Sequence, residues 1–297
     1  PISAEKAAGV ITKANISGDL VTVDVSEAVT DALAKGETEI SFEISCPTEA
    51  NDNMIDFYST RAEGKQAPKL VTRTSKTDKP VDPEFVELRE KWLNNLLGGT
   101  LDTGNQAVVT YITGLDEKAG EYWSSMIKSD DASRTNLWSD LDMSYIAGTG
   151  AKAKVHSGNV AQTFYRLKDM AIAWATEGCA LYQNDELKEE LIRALDFMNE
   201  NHYSSSDDKT PFFGNWWHWE IGGPIAFMDT ALILYDDLTL KQITNYAAAV
   251  NRFTNVCDKP SGYPGSPAMT GANLIDKGMV VAQAGLLTDN GSKLEQD

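Results

Sequence analysis

From Pro83 onward the chain carries one helical stripe after another and no strand-like alternation, and this repetition constrains the fold more than any other feature. Phe85, Leu88, Trp92 and Leu96 recur at helical spacing, which lines one face of a helix with apolar groups. Phe164, Leu167, Ala171 and Trp174 make a second stripe, and Leu187, Leu191, Leu195 and Met198 a third. Asp82-Pro83 reads as the N-cap and first-turn proline of the first helix, and Asp185 as the N-cap before the third stripe. Further helices are expected at 107–127, 224–237 and 239–256, with a last one beginning near Asn273. Helices with one apolar face each must cover one another, so residues 83–297 read as an all-α domain.

Residues 1–76 read differently. They contain no tryptophan, and Val21, Val23 and Val25 alternate, as do Ile40, Phe42 and Ile44. Met54–Ser59 and Lys69–Thr74 suggest two more short strands, and Ser26–Lys35 a short helix closed by Gly36. About four strands alone would leave edges and one face uncovered. The polar stretch 77–82, carrying Pro80, reads as a linker. The overall expectation is a multidomain β plus all-α chain.

The densest chemistry lies at 215–224, Asn-Trp-Trp-His-Trp-Glu-Ile-Gly-Gly-Pro. Three of the seven tryptophans, Trp216, Trp217 and Trp219, fall within it. Flat indole faces suit sugar rings, whose C–H faces are apolar and whose rims are polar. The plainer reading is a corner of the core, since large aromatics are mostly buried. A core corner, however, has no evident need of Asn215 at one end and of Glu220 with a Gly-Gly-Pro turn at the other.

A second segment runs Thr270-Gly-Ala-Asn273-Leu-Ile-Asp-Lys-Gly278. Gly271 and Ala272 would let a ligand approach the backbone. Asn273 would lie near a helix N-terminus, where free N–H groups favour an anion. The alternative is that Asn273 is only an N-cap.

Together the two segments resemble polysaccharide lyase family 8, the family of hyaluronate, chondroitin AC and xanthan lyases. The resemblance runs from about Pro83 to the end of the chain. It takes in Arg89-Glu-Lys-Trp92 with Leu96-Leu97-Gly98, Thr163-Phe-Tyr-Arg166-Leu-Lys-Asp-Met170-Ala171, both segments above, and Ala284-Gly285-Leu286-Leu287. It implies an incomplete (α/α) toroid that cleaves a uronic-acid polysaccharide by β-elimination. Asn273 matches the carboxylate-binding asparagine, and Trp216 and Trp217 match the aromatic patch. Asn215 and Arg166 are candidate polar contacts to the substrate. The tyrosine and histidine that serve such lyases as acid and base are expected beyond residue 297. A third aromatic shortly before the asparagine is absent, with Tyr263 as its substitute. Some members carry arginines where this chain has Ile225 and Met279, which implies either a substrate other than hyaluronan or other basic contacts such as Lys277. Tyr203 and Tyr263 read as loop tyrosines within reach of a cleft, His218 as a structural hydrogen-bonding residue, and the loop 203–214 as a border of that cleft. Residues 1–76 resemble the C-terminal part of a carbohydrate-binding β-sandwich, through Val23-Asp-Val-Ser26, Ile40-Ser-Phe-Glu-Ile44, Phe57-Tyr-Ser59 and Ala67-Pro-Lys-Leu-Val71. A small β cap packed on the helical domain is the alternative.

Charge and cysteines narrow the remaining classes. The net charge of −18 argues against nucleic acid and anionic membrane as partners, and leaves a locally positive cleft on an acidic body as the requirement for an acidic polysaccharide. Cys46, Cys179 and Cys257 make no C-x-x-C pair, so neither a zinc site nor a redox motif is indicated. Motifs for nucleotide, calcium or serine-nucleophile chemistry are absent, and no cofactor or metal is expected. No apolar run reaches membrane-spanning length. A monomer acting outside the cell is expected, because such polymers do not enter cells. Two rivals stay open: a toroidal glycoside hydrolase using Glu220 and Asp276 as its carboxylate pair, and a polysaccharide-binding protein without catalysis.

Overall fold

The computed structural model describes residues 82–131, 133–206, 211–254 and 268–290, with Lys79 and a few positions between 16 and 35. The chain divides into two compact units, 1–70 and 71–297. In the first, β1 (Ile16–Ser17) pairs antiparallel with β2 (Leu20–Val21), Ile16 opposite Val21. Ala28 and Ala32 are helical. The strands expected at 40–44, 54–59 and 69–74 lie outside the described residues, as do Cys46, Cys257 and Tyr263.

The described part of the second unit is helical: α1 (Pro83–Leu97), α2 (Gln106–Ser125), α3 (Ala151–Ala175), α4 (Asp185–Asn201), α5 (Gly223–Ile233), α6 (Leu240–Phe253) and α7 (Ala272–Thr288). Short polar side chains start most of them. Asp82 accepts from the Glu84 N–H at 3.0 Å, and Asn105 from the Ala107 N–H at 2.9 Å. Thr239 and Gln242 form a reciprocal capping box on α6. Gly98 ends α1 in the left-handed conformation, at φ +81°. The N-cap of α4 is Asn184, whose Oδ1 accepts from the Leu187 N–H at 2.8 Å. Asp185, expected in that role, is instead the first helical residue, where its charge favours the helix N-terminus.

The longest helix, α3, organises the unit. It packs against α2, α4 and α5, while α7 packs against both α5 and α6. The core between them is aromatic. Phe164 stacks on Phe227 at 4.8 Å, and Tyr203 lies 4.4 Å from Phe253, which in turn stacks on Trp219 at 5.3 Å. No helix among the described residues is long and apolar enough to cross a membrane.

The largest departure from the expected helices is at 216–237. Helical backbone begins at Trp216, seven residues earlier than α5 itself, and passes through a π-helical turn at His218–Gly222 before α5. Pro224 explains it. Proline has no N–H to donate and crowds the preceding turn. The Gly223 N–H reaches back to the His218 carbonyl, which widens the turn. The Trp219 carbonyl accepts from the Tyr203 hydroxyl instead, at 2.7 Å. A tyrosine thus replaces the missing backbone donor, and such π turns recur at functional sites.

Candidate functional site

The π turn divides the tryptophan segment into two halves. Trp219 faces inward and is 1% exposed, with its indole N–H donating to the Phe213 carbonyl at 2.7 Å. Trp216 and Trp217 are only half-buried. Their direction is fixed from below. Gly214, at φ +71°, donates to the Gly148 carbonyl at 2.8 Å, and a Cβ there would overlap Ser157 and the α3 backbone. The Ser157 hydroxyl accepts from the Asn215 N–H at 3.1 Å and bonds His218 Nδ1 at 2.9 Å. Asn215 in turn accepts from the Trp217 N–H at 3.2 Å through Oδ1, so its side chain starts the helix on which the tryptophans ride. His218 is held within this lattice, and burial keeps its imidazole below the ordinary pKa.

Beneath the tryptophans lies a buried ion pair. Lys277 of α7 and Glu220 of the π turn meet at 2.5 Å, and both side chains are fully buried. Such a pair holds two elements in one register, because separating it would take a close opposite charge away from a buried one. Asn273 sits four residues before Lys277, hence one helical turn nearer the α7 N-terminus on the same side. It is exposed. Asn273 is not the N-cap; that position is Gly271, at φ +60° and ψ −138°, a conformation open to glycine and strained for other residues. Among the described residues nothing lies within 4 Å of where a Gly271 side chain would start. The first N–H groups of α7 have no acceptor in their own helix, and Asn273 lies in the same first turn.

A second buried carboxylate, Asp229 of α5, accepts from the Trp92 indole at 3.0 Å and from Gln283 at 2.7 Å, with Lys168 3.7 Å away. Burial raises its pKa, and the Trp92, Lys168 and Gln283 contacts oppose that shift. Arg89 is buried against the C-terminus of α7, donating to the Leu286 carbonyl at 2.8 Å and pairing with Asp289. Together these groups tie α1, α3, α5 and α7 around the tryptophan segment.

The family model for the N-terminal α-helical domain of polysaccharide lyase family 8 matches residues 92–297. The chain belongs to polysaccharide lyase family 8. Xanthan lyase of Bacillus sp. (strain GL1) is 34% identical over 212 residues, 71% of this chain and 20% of that protein. Hyaluronate lyase HylB of Enterococcus faecalis is 30% identical over 225 residues, 72% of this chain and 21% of that protein. Among solved structures, a Paenibacillus xanthan lyase superposes with a TM-score of 0.60 at 32% identity, covering 74% of this chain and 18% of that one. Chondroitin AC lyase of Streptomyces coelicolor A3, solved in complex with chondroitin sulphate, gives 0.57 at 25% identity over 72% of this chain and 26% of that one. The chain spans about a fifth of the length of the curated relatives it matches.

Within this family-8 helical domain, the fold gathers Asn215, Trp216 and Trp217 on one helix start and ties that element to the helix of Asn273. Arg166 is less available. Its guanidinium makes two bonds to Asp140, at 2.9 and 2.5 Å, and lies over the Tyr122 and Trp138 rings. Tyr263 falls outside the described residues.

Three expectations need correction, those for Lys277, Glu220 and Tyr203. Lys277 does not offer a basic contact to a ligand, because it is wholly buried on Glu220. That same burial removes Glu220 from the carboxylate pair of a hydrolase. Tyr203 does not reach a cleft; it is 0% exposed and its hydroxyl is committed to the Trp219 carbonyl. Cys179 is buried, with its thiol pushed up to about 11. Among the described residues, no cluster of His, Cys, Asp and Glu is arranged to hold a metal ion.

Sequence reasoning missed the Glu220–Lys277 pair and the Asp229 cluster. A charged residue in the middle of an apolar helix is the signal for both. Lys277 lies four positions after Asn273 among Leu274, Ile275, Val280 and Val281, and Asp229 lies between Met228 and Thr230 in a helix otherwise without charge.

Proposed function

We propose that the protein carrying this chain is a polysaccharide lyase that cleaves a uronic-acid-containing polymer by β-elimination. The observation that carries this reading is the buried Lys277–Glu220 bridge, which holds the exposed Asn273 helix start in register with the half-exposed Trp216–Trp217 face. A sugar stacked on the tryptophans would present its carboxylate to the Asn273 amide and the free N–H groups beside it. Neutralising that carboxylate acidifies the C5 proton. As a base removes it, the electron pair forms the C4–C5 double bond, the C4–O bond breaks, and the leaving oxygen takes up a proton. Donors aimed at the developing aci-carboxylate stabilise this transition state more than the ground state.

Asn273 is the carboxylate-neutralising residue in this reading, Trp216 and Trp217 the stacking platform, and Asn215 both the helix start and a polar contact through its amide N–H₂. Arg166 would join only by exchanging its Asp140 pair, and Tyr263 completes the platform. By resemblance to the family, the base and acid are taken to lie downstream of residue 297; the histidines here are bonded to the frame, His156 to Ser144, His202 to Thr135 and His218 to Ser157. The reading extends to residues 83–297 as part of an (α/α) toroid, 77–82 as linker, and residues 1–76 as part of a carbohydrate-binding β-sandwich. It also takes the protein to be a monomer acting outside the cell. Relatives named for xanthan, hyaluronate and chondroitin cleavage support an acidic polysaccharide as substrate. Incubating the natural-length protein with xanthan, hyaluronan and chondroitin tests the reaction class. A lyase yields an ultraviolet-absorbing unsaturated uronate; new reducing ends without that absorbance would indicate hydrolysis and overturn the reading.

A further inference from the structure

Tyr165 is a polar group that the helical frame leaves unused. On α3 it follows Phe164, which is fully buried, and precedes Arg166, which is held by Asp140. Tyr165 itself is half-buried, and its hydroxyl has no hydrogen-bond partner among the described residues. Its position is set by Gly222. A methyl group on Gly222 would lie 2.5 Å from the Tyr165 hydroxyl and would overlap the outer edge of the Trp217 indole. The hydroxyl and the indole edge therefore meet over the same bare stretch of π-turn backbone, and the lack of a side chain at Gly222 makes the meeting possible.

This arrangement supplies what an indole platform lacks. Stacking holds the apolar face of a sugar but reads none of the hydroxyl groups that project sideways from its rim. An oxygen at the edge of the indole lies where such a hydroxyl would be. Burial also raises the Tyr165 pKa, so the phenol keeps its proton and can both donate and accept.

We propose that Tyr165 is a further substrate-contacting residue, hydrogen-bonding a ring hydroxyl of the sugar that stacks on Trp217. The proposal rests on the lyase reading above. It is tested with Tyr165→Phe, which keeps the ring and its packing on Trp217 and removes only the oxygen. Affinity of the natural-length protein for a uronate oligosaccharide is measured by calorimetry, beside Trp217→Ala and with thermal midpoints for all three proteins. Tyr165→Phe is expected to weaken binding about threefold to tenfold, the range of one neutral hydrogen bond, with the midpoint unchanged. Full affinity in Tyr165→Phe with weakened binding in Trp217→Ala would overturn the role of Tyr165 and leave the lyase reading standing. No binding by the parent protein to any uronate oligosaccharide would overturn both. A lowered midpoint with unchanged affinity would make the hydroxyl a structural group and overturn the proposal as well.

Discussion

The two ends of the tryptophan segment belong to different parts of the molecule although only a few residues separate them. At the inner end, Trp219 and Glu220 are sealed in the core, each with a specific polar partner. At the outer end, Asn215, Trp216 and Trp217 are half-exposed and carry no ion pair among the described residues. The π turn makes this division possible, because it alters the direction in which successive side chains point. The comparison teaches that aromatic density alone does not mark a binding surface. What marks it is that one aromatic anchors the backbone while its neighbours are held outward.

The comparison breaks if inner and outer substitutions behave alike. The largest effect is expected at the ion pair. Lys277→Met removes the cation that faces the buried Glu220 carboxylate and should lower unfolding free energy by about 3–5 kcal/mol, read from urea titrations. Adding Glu220→Leu should recover much of that loss, whereas an equal loss in the double variant would mean that packing, not charge, is at stake. Trp219→Ala removes a fully buried indole and should cost about 3–5 kcal/mol, while Trp217→Ala should cost no more than about 1 kcal/mol and instead weaken oligosaccharide binding. Equal stability losses at the two positions would contradict the inner–outer division.

Tyr203→Phe sharpens it further. The variant keeps the stacked ring and leaves the Trp219 carbonyl without its donor, for an expected loss of about 1–3 kcal/mol in thermal or urea unfolding. A pH effect is the smallest. Burial holds His202 and His218 below their ordinary value of 6.5, so the unfolded chain takes up these protons more readily than the native one. Their contribution to stability is therefore present above that value and lost as the pH falls through it. Replacing both with Gln should shrink the stability difference between about pH 7.5 and about pH 5.5, compared with the parent protein. An unchanged difference would mean that neither ring is shielded.

Much of the helical frame was legible in the sequence, because stripes such as Phe85, Leu88 and Trp92 record burial directly. Caps were legible where the side chain is distinctive, as at Asp82, and less so at Asn184-Asp185, where two good caps adjoin and geometry chooses between them. The start of the helix before α5 was not legible. A proline usually marks a helix entrance, and nothing local announces that a tyrosine some twenty residues upstream substitutes for its missing N–H. The candidate site divides in the same way. Trp216, Trp217 and Asn273 stand out by residue type and context. Lys277, by contrast, looked like a surface cation, because only the packed structure pairs it with Glu220. Charge is legible in a sequence, but its partner across the fold is not.

The most direct test of the central claim is Asn273→Ala in the natural-length protein, assayed on the uronate polymer it cleaves best, with turnover followed by ultraviolet absorbance and binding by calorimetry. Asn273 is exposed and caps nothing, so the variant should remain folded. The account predicts that the unsaturated product falls by at least about a hundredfold, as for loss of one transition-state donor, while most of the binding held by Trp216 and Trp217 persists. Turnover that survives at the parent rate would contradict it and remove Asn273 from the chemistry.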